Sequence, residues 1–269
     1  MPWLARLWPM PPADQLRRQP PALPEVVFFD LGDTLVRAHP SWAGVYLLGL
    51  AESGIEVDED ELSGALLEAT RSGSWTFEGP FEASEQASYE RIKEFDAAVL
   101  ASLGHRDLSD DVFRNVELAF ERATSWHVFP DVLPAVEALR GAGIRLGVIS
   151  NWLWGGPELL HALRLASHFE ALVISARVGY QKPHPGIFVH ALELMGVAPS
   201  RAVHVGDNYR SDVVGARRVG ITPVLIDRGH ADPARLRSEH GETELAVVHD
   251  LLEMLDLLGI ARPLATQRA

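Results

Sequence analysis

The stretch FFDLGDTLV at residues 28–36 joins an apolar run to a turn that carries two carboxylates, Asp30 and Asp33, with Gly32 between them. The run begins earlier, as VVFFD at residues 26–30, and it is apolar until its last residue. Short apolar runs of this kind are typical of strands buried on both faces of a parallel sheet. The sequence therefore predicts a buried strand that brings Asp30 to the edge of a sheet.

Other segments of the chain repeat this pattern. The strand-like runs are RLGVIS (145–150), ALVIS (171–175), AVHVGD (202–207) and PVLID (223–227). Helical stretches lie between the later runs, and the tail LAVVHDLLEMLDLLG can supply one more strand and helix. This alternation predicts an α/β fold with a doubly wound, Rossmann-like parallel sheet, formed by residues 25–38 and 128–269.

The interval 39–127 differs, because its apolar residues recur at helical spacing. The spacing predicts four helices, near 42–53, 59–72, 83–103 and 109–124. An insertion directly after the first strand would lie over the carboxyl ends of the strands, where such sheets bind ligands. We interpret it as a helical cap that acts as a lid, with a lobe that only packs on the core as the alternative.

Two further segments carry expectations of their own. Residues 1–24 contain seven prolines, which predict an extended N-terminal arm rather than a helix. The loop at 72–84 places Trp75 and Phe77 among glycines and a proline, as a substrate-facing loop would.

Composition excludes several classes of function. The chain has 24 Lys+Arg and 37 Asp+Glu, a formal net charge of -13, so a broad surface for nucleic acid is not expected. It has no cysteine, which excludes disulfides and thiolate chemistry and fits the reducing cytoplasm, where we expect the protein. No apolar run approaches the ~20 residues of a membrane span.

Four of the five predicted strands end in, or are followed by, residues that can do chemistry. The set comprises Asp30 and Asp33, Ser150 and Asn151, Asp207 and Asp212, and Lys182 in the loop GYQKPHP. Taken singly, a strand-end Asp usually caps a helix and a loop Lys is usually solvated. Together and in this order, they predict one site at the carboxyl edge of the sheet.

The chemistry open to this set is phosphoryl transfer. A carboxylate such as Asp30 can attack phosphorus and form an aspartyl-phosphate if charge repulsion is relieved. Asp30 and Asp207 offer the hard oxygens that Mg²⁺ prefers. Lys182 can offset the remaining charge, and Thr34 and Ser150 can donate hydrogen bonds to phosphoryl oxygens.

The other candidate residues have more than one interpretation. Asn151 is a further candidate for substrate binding. Asp212 can hold a metal-bound water or cap the following helix, and we favour a supporting role. His204, inside an apolar strand, and His184, between two prolines, are expected to be structural. The sequence contains no phosphate-binding loop of the G-x-x-x-x-G-K-[ST] type, no G-x-G-x-x-G after the first strand, no G-x-S-x-G and no H-E-x-x-H.

The ordered motifs FDLGDTL, VISN, GYQKPHPGIF and VGDNYRSDVVGA resemble those of the haloacid dehalogenase (HAD) superfamily, in the subfamily with a helical cap. The last motif is especially similar to the branch named haloacid dehalogenase-like hydrolase domain-containing proteins. The resemblance implies Asp30 as nucleophile, Asp207 and the Gly32 carbonyl as Mg²⁺ ligands beside Asp30, and Lys182 as the charge-balancing lysine. It also implies that Thr34 and Ser150 bind the phosphate.

One departure from that family concerns the first motif. HAD phosphatases usually have D-x-D-G-T, in which the second Asp is the general acid, whereas this chain has D-x-G-D-T. Because side chains alternate along a strand, Asp33 faces away from Asp30 unless the turn redirects it, and we expect it to bond nearby backbone. The sequence thus predicts a Mg²⁺-dependent phosphatase for a small phosphorylated substrate. The alternatives are a hydrolase of C-halogen or C-P bonds, or a catalytically weak binding protein.

Overall fold

A computed structural model describes residues 23–71 and 79–263 of the chain. The expected arm at 1–24, apart from its last two residues, lies outside the described residues, and so does the segment 72–78 with Trp75 and Phe77. Within the described residues, no helix is long and apolar enough to cross a bilayer.

The elements alternate along the chain as follows. The strands are β1 (Val26–Phe29), β2 (Val36–Ala38), β3 (Trp126–Val128), β4 (Arg145–Ser150), β5 (Ala171–Ile174), β6 (Ala202–Gly206), β7 (Thr222–Ile226) and β8 (Ala246–Val248). The helices are α1 (Trp42–Glu52), α2 (Glu59–Arg71), α3 (Glu85–Ser102), α4 (Asp110–Glu121), α5 (Val132–Gly141), α6 (Gly156–Ala162), α7 (Ser175–Val178), α8 (Pro185–Met195), α9 (Gly215–Arg218), α10 (Pro233–Glu239) and α11 (Leu251–Leu257). A π-helical turn, Tyr209–Val214, precedes α9.

Six strands form one parallel sheet in the order β5-β4-β1-β6-β7-β8. The strand that carries Asp30 therefore lies in the middle of the sheet, and the chain winds outward from it in both directions. Ligands bind at this reversal of strand order in open α/β sheets. The predicted doubly wound α/β fold is confirmed, and the predicted strand bounds differ from the observed ones by at most one residue.

Side chains of β1 alternate between the two faces of the sheet and are fully buried on both. Val27 and Phe29 belong to a core cluster that includes residues of α5 and α11, whereas Val26 and Phe28 pack in a second cluster with Ile187 and other residues of α8. Burying a side chain of this size contributes roughly 1.5–3 kcal/mol to stability. The central strand is thereby fixed, and so is the start of the turn that follows it.

Helix ends are capped by the residues that the sequence provides for this purpose. Ser41 and Ser84 accept hydrogen bonds from the backbone of the first turns of α1 and α3. His184 caps α8, since its Nδ1 accepts a hydrogen bond of 2.9 Å from the Gly186 amide, and Gly196 ends this helix in the left-handed conformation. His184 is thus structural, as the sequence predicts.

Helices α1 to α4 form an insertion between β1 and β4, which we call the helical insertion (residues 42–121). The chain enters it from β2 and leaves it into β3, and these two strands pair with each other in antiparallel fashion. Neither strand is predicted from the sequence, because three residues are too few to show a period. The four predicted helices are observed, while their action as a mobile lid stays a prediction.

Close approach of α1 and α4 depends on Gly49. A Cβ atom at this position would lie 2.5 Å from the Val116 Cα and 2.7 Å from the Asn115 carbonyl oxygen, both of which are backbone atoms that cannot rotate away. At Gly64 in α2, by contrast, an added Cβ atom would meet open space.

Gly49→Ala should therefore lower the free energy of unfolding by about 1–3 kcal/mol, because the two helices must separate. Gly64→Ala is the matched control and should raise it by up to about 1 kcal/mol, since alanine favours the helix. Chemical denaturation of both variants measures the difference. An unchanged stability in Gly49→Ala would contradict the close packing of α1 on α4.

Candidate active site

Asp30 lies directly after β1 and is almost buried, with an exposed fraction of 8%. Its amide donates a hydrogen bond of 2.8 Å to the Val205 carbonyl of β6, which continues the sheet by one residue. The turn that follows is closed by a hydrogen bond of 2.9 Å from the Leu35 amide to the Leu31 carbonyl. Asp30 is thus held by backbone on both sides.

Lys182 connects Asp30 to Asp212. Its Nζ donates hydrogen bonds of 2.6 Å to Oδ1 of Asp30 and 2.6 Å to Oδ1 of Asp212, and the side chain is 2% exposed. Burial alone acts to lower the pKa of Lys182, but the charges of Asp212 and Asp30 outweigh it and raise the pKa above its usual value. The lysine is therefore a fixed positive charge beside Asp30.

Asp212 is the most completely bonded carboxylate of the site. Oδ1 accepts from Lys182 and from His204 Nε2 at 2.8 Å, and Oδ2 accepts from the Asn208 amide at 2.9 Å. Burial acts to raise the pKa of Asp212, but Lys182 and His204 outweigh it and hold the pKa well below its usual range. Gly206 permits this approach, because a Cβ atom there would overlap the Asp212 side chain.

His204 is fully buried, as expected for a core residue, and its bond to Asp212 is not predicted by the sequence. Burial lowers its pKa, so the ring is neutral and donates from Nε2. Nδ1 has no hydrogen-bond partner among the described residues. The histidine positions Asp212, which in turn positions the lysine.

Asn151 secures the backbone of Lys182. Its Nδ2 donates 2.9 Å to the Lys182 carbonyl, and its Oδ1 accepts 2.7 Å from the Lys182 amide. Both ends of the side-chain amide are therefore engaged by protein. The sequence analysis names Asn151 as a candidate for substrate binding, whereas in the structure its side-chain amide binds the backbone of the loop that carries Lys182.

Thr34 and Ser150 present two hydroxyl groups without partners. Both side chains are almost fully buried, and neither Oγ1 of Thr34 nor Oγ of Ser150 has a hydrogen-bond partner among the described residues. A buried hydroxyl group without a partner costs free energy. These two donors are therefore available to an anion at the carboxyl edge of the sheet.

Three carboxylates cluster at this edge. Asp30, Asp207 and Asp212 each offer an oxygen within 4.8 Å of the others, the one such acidic cluster among the described residues. Asp207 is exposed to solvent. The surrounding protein and the negative charges of Asp30 and Asp212 nevertheless raise its pKa well above the usual range.

This donor set fits Mg²⁺, because it consists of hard oxygens and carries more negative charge than Lys182 can offset. Both oxygens of Asp212 are engaged by protein groups, so Asp30 and Asp207 are the carboxylates left for a cation. The supporting role that the sequence analysis favours for Asp212 stays a prediction.

Asp33 adopts the left-handed conformation, with φ of 50°. Its amide donates a hydrogen bond of 2.7 Å to the Val36 carbonyl, which is the expected bond to nearby backbone, and its side chain accepts a hydrogen bond of 2.8 Å from the Trp42 indole of α1. Burial raises the pKa of Asp33, the bond from Trp42 lowers it, and repulsion from Asp30 raises it further. The turn therefore brings Asp33 near Asp30, but its hydrogen bond points to the helical insertion.

Gly32 is packed beneath two tryptophans. A Cβ atom at this position would lie 3.2 Å from the Trp152 ring and 3.2 Å from the Trp42 ring. A side chain at position 32 requires that these rings shift. The glycine thus does more than omit an acid, because it makes room for aromatic rings beside Asp30.

Arg228 is a supporting residue that sequence reasoning missed. Its guanidinium donates 2.6 Å to the Thr34 carbonyl and 2.9 Å to each oxygen of Asp131. The arginine also lies over the Phe129 ring, 3.8 Å from its centroid. It fixes the turn of Thr34 from a loop 194 residues away, and no local pattern signals such a contact.

A family profile and individual known proteins both match this chain. The profile of the haloacid dehalogenase-like hydrolases matches residues 24–220. Haloacid dehalogenase-like hydrolase domain-containing protein 3 of Xenopus laevis is 31% identical over 205 residues, which are 75% of this chain and 83% of that protein. Glyceraldehyde 3-phosphate phosphatase of Methanothermobacter thermautotrophicus is 27% identical, over 87% of this chain and 99% of that protein.

A solved structure shares the fold. The crystal structure of a HAD phosphatase from Thermococcus onnurineus superimposes with a TM-score of 0.59 at 25% identity, covering 89% of this chain and all of that chain. The profile match spans β1 to α9, which includes every residue of the site described above except Arg228. The chain therefore belongs to the haloacid dehalogenase-like hydrolase family.

Proposed function

We propose that this protein is a Mg²⁺-dependent phosphatase that hydrolyses a small phosphate monoester through an aspartyl-phosphate at Asp30. The observation that carries the proposal is the pair of hydroxyl groups on Thr34 and Ser150, which have no partner in the described part of the chain and lie at the same edge as the Asp30 and Lys182 ion pair. Anion donors, a fixed cation and a carboxylate nucleophile are the parts that phosphoryl transfer needs. The similar proteins named as phosphatases support the same reaction.

In the first step, the free oxygen of Asp30 attacks phosphorus, and the bond between phosphorus and the ester oxygen breaks. Lys182 offsets negative charge at the nucleophile, while Thr34 and Ser150 donate hydrogen bonds to the phosphoryl oxygens. Asp212 holds the lysine at its position through the transfer. In the second step, water attacks phosphorus, and phosphate leaves with Asp30 restored as a carboxylate.

Asp30, Asp207 and the Gly32 carbonyl are the groups that would hold Mg²⁺ in this proposal. When bound, the cation supplies positive charge that reduces the repulsion between a carboxylate nucleophile and a phosphate dianion. Asp207 would gain a cation close to it, since the surrounding protein and the charges of Asp30 and Asp212 raise its pKa more than Lys182 lowers it.

Neither described residue at the positions where the first motif carries acids is free to protonate the leaving group. Position 32 carries no side chain, and the Asp33 carboxylate is bonded to Trp42. The ester oxygen must therefore leave as an anion or take its proton from water. This favours substrates whose alcohol is acidic.

Removal of the nucleophile tests the proposal directly. Asp30→Asn should reduce phosphate release from p-nitrophenyl phosphate to the background rate, because an amide cannot attack phosphorus. Chelation of Mg²⁺ should silence the wild type reversibly. Asp256→Asn is the control, since it removes an exposed carboxylate that pairs only with Arg262 among the described residues. Full activity in EDTA would contradict the metal assignment, and full activity of Asp30→Asn would contradict the nucleophile.

Lys182 should matter for stability as well as for activity. Lys182→Met leaves Asp30 and Asp212 buried without their cation and should lower the free energy of unfolding by about 3–5 kcal/mol. Lys93→Met is the matched control, because Lys93 also lies 2.6 Å from a carboxylate but is 32% exposed, and its loss should change little.

Denaturation of both lysine variants measures the difference. Adding Asp212→Asn to Lys182→Met should recover part of the lost free energy of unfolding, because one of the two uncompensated buried charges is then removed. Equal stability of the two single variants would show that the buried pair contributes no more than the surface pair.

The identity of the leaving group should dominate the rate. A positioned general acid contributes about 10²–10⁴ in rate, so alkyl phosphates should be hydrolysed more slowly than aryl phosphates by at least this order. Asp33→Asn should change the rate with p-nitrophenyl phosphate little. The idea fails if an alkyl phosphate is hydrolysed as fast as an aryl phosphate by the wild type and Asp33→Asn abolishes that activity, since Asp33 would then be the acid.

A further inference from the structure

A cavity of about 420 Å³ lies between the helical insertion and the loop that follows β4. Its described lining comprises Trp42, Tyr46, Leu66, Leu67, Thr70, Ile92, Phe95, Asp96, Val116, Glu117, Phe120, Asn151, Trp152 and Leu153. Its volume is in the range of small-molecule sites. We call this space the insertion cavity.

The insertion cavity adjoins the candidate active site. Asn151 lines the cavity and braces the backbone of Lys182, and Trp42 lines it and donates its hydrogen bond to Asp33. The rings of Trp42 and Trp152 pack over Gly32, two residues from Asp30. A phosphate ester bound at Asp30 would therefore place its alcohol group toward this cavity.

Aromatic rings form the wall nearest to the site. Trp42 contacts Trp152 and Phe120 with centroid distances of 6.1 Å and 6.0 Å, and Tyr46 meets Phe120 edge to face at 4.9 Å. Walls of this kind stack against flat rings and attract organic cations over their faces.

Two acids interrupt the apolar lining, and the described lining residues include no Lys, Arg or His. Glu117 accepts a hydrogen bond of 3.1 Å from the Arg114 guanidinium. Asp96 is fully buried, Oδ1 accepts a hydrogen bond from the Tyr46 hydroxyl, and Oδ2 has no partner among the described residues.

A buried carboxylate with one free oxygen is costly unless a donor reaches it. Burial raises the pKa of Asp96 to about 7, despite the bond from Tyr46, and the charge of Glu117 adds to the shift. A cationic N–H donor is the partner that would stabilise its charged form most.

We propose that the insertion cavity binds the leaving group of the substrate, and that this group is an aromatic ring carrying a protonated amine whose N–H bonds to Oδ2 of Asp96. The inference rests on the proposed phosphatase activity and specifies its substrate class as a phosphate ester of an amino-substituted phenol. The ring suits the aromatic wall, the ammonium suits the acid, and a phenolate leaves without the general acid that position 32 lacks.

A pair of matched substrates tests this class without any variant. The amine probe is p-(aminoethyl)phenyl phosphate, and its neutral counterpart of the same shape is p-propylphenyl phosphate, which has a leaving group of similar acidity. The kcat/KM of the wild type should be roughly 10- to 100-fold higher for the amine probe, the range of a hydrogen bond to a charged group. Equal values, or a preference for the neutral probe, would overturn the proposal.

Asp96→Asn should bring the ratio of the two kcat/KM values close to one, mainly through a higher KM for the amine probe. Asp111→Asn is the matched control, because it removes an exposed carboxylate of α4 that does not line the cavity. The control should keep the preference of the wild type. If the preference for the amine probe survives in Asp96→Asn, or falls equally in Asp111→Asn, it arises from the general negative charge of the protein. Either result would contradict the role of Asp96 in binding the amine.

Failure of the two proposals can be distinguished. If p-nitrophenyl phosphate is hydrolysed but the amine probe is not preferred, the substrate class is wrong and the phosphatase activity stands. If no phosphate ester is hydrolysed, the activity fails, and calorimetry of the wild type with p-(aminoethyl)phenol against p-propylphenol still tests the cavity. Tighter binding of the amine supports the site, and equal or weaker binding rejects it. These wild-type comparisons also decide the matter if Asp96→Asn does not fold.

Discussion

A buried ammonium group held between two carboxylates constrains the rest of this structure. Removing Lys182, Asp30 and Asp212 from water costs several kcal/mol for each ion, and only close contact with full hydrogen bonding offsets that cost. Both ion-pair distances are accordingly 2.6 Å. Further residues complete the arrangement, since Asn151 fixes the backbone of the lysine and His204 occupies the other side of Asp212. The charge balance at the site therefore requires contributions from the ends of several strands.

The order of the strands explains why these contributions meet. β1 lies between β4 and β6, so residues that follow these three strands share one edge of the sheet. This part of the site could be predicted from the sequence, because apolar runs that end in polar residues indicate parallel strands, and the carboxyl ends of parallel strands coincide. Asp30, Ser150 and Asp207 are found where this reasoning places them. The helices of the insertion were predictable for a similar reason, since their apolar spacing is regular over many residues.

The supporting contacts could not be predicted, because each joins side chains whose proximity depends on the finished fold. Arg228 reaches the Thr34 carbonyl across 194 residues, and its own sequence context shows only an arginine after a strand. The bond from Trp42 to Asp33 spans nine residues, but it depends on the left-handed turn at Asp33 and on the direction in which α1 leaves. Alternation along an extended strand could not indicate Trp42 as the partner of the Asp33 side chain, since the strand ends at Phe29 and its periodicity no longer applies.

Gly32 connects the chemistry of the site to its shape. In the sequence analysis, Gly32 stands where the family usually has a general acid, and the loss of that acid predicts slower hydrolysis. In the structure, the same position is covered by Trp42 and Trp152, and a Cβ atom there would lie 3.2 Å from both rings. A side chain at position 32 therefore requires both rings to shift by a few tenths of an ångström or more. In the proposed mechanism, a site with aromatic rings and no acid at this position favours esters of alcohols that are stable as anions, and phenols combine that stability with a flat ring that can pack against Trp42 and Trp152. Under the proposed function, the position that lacks the acid is thus also the one beside which an aromatic leaving group would bind.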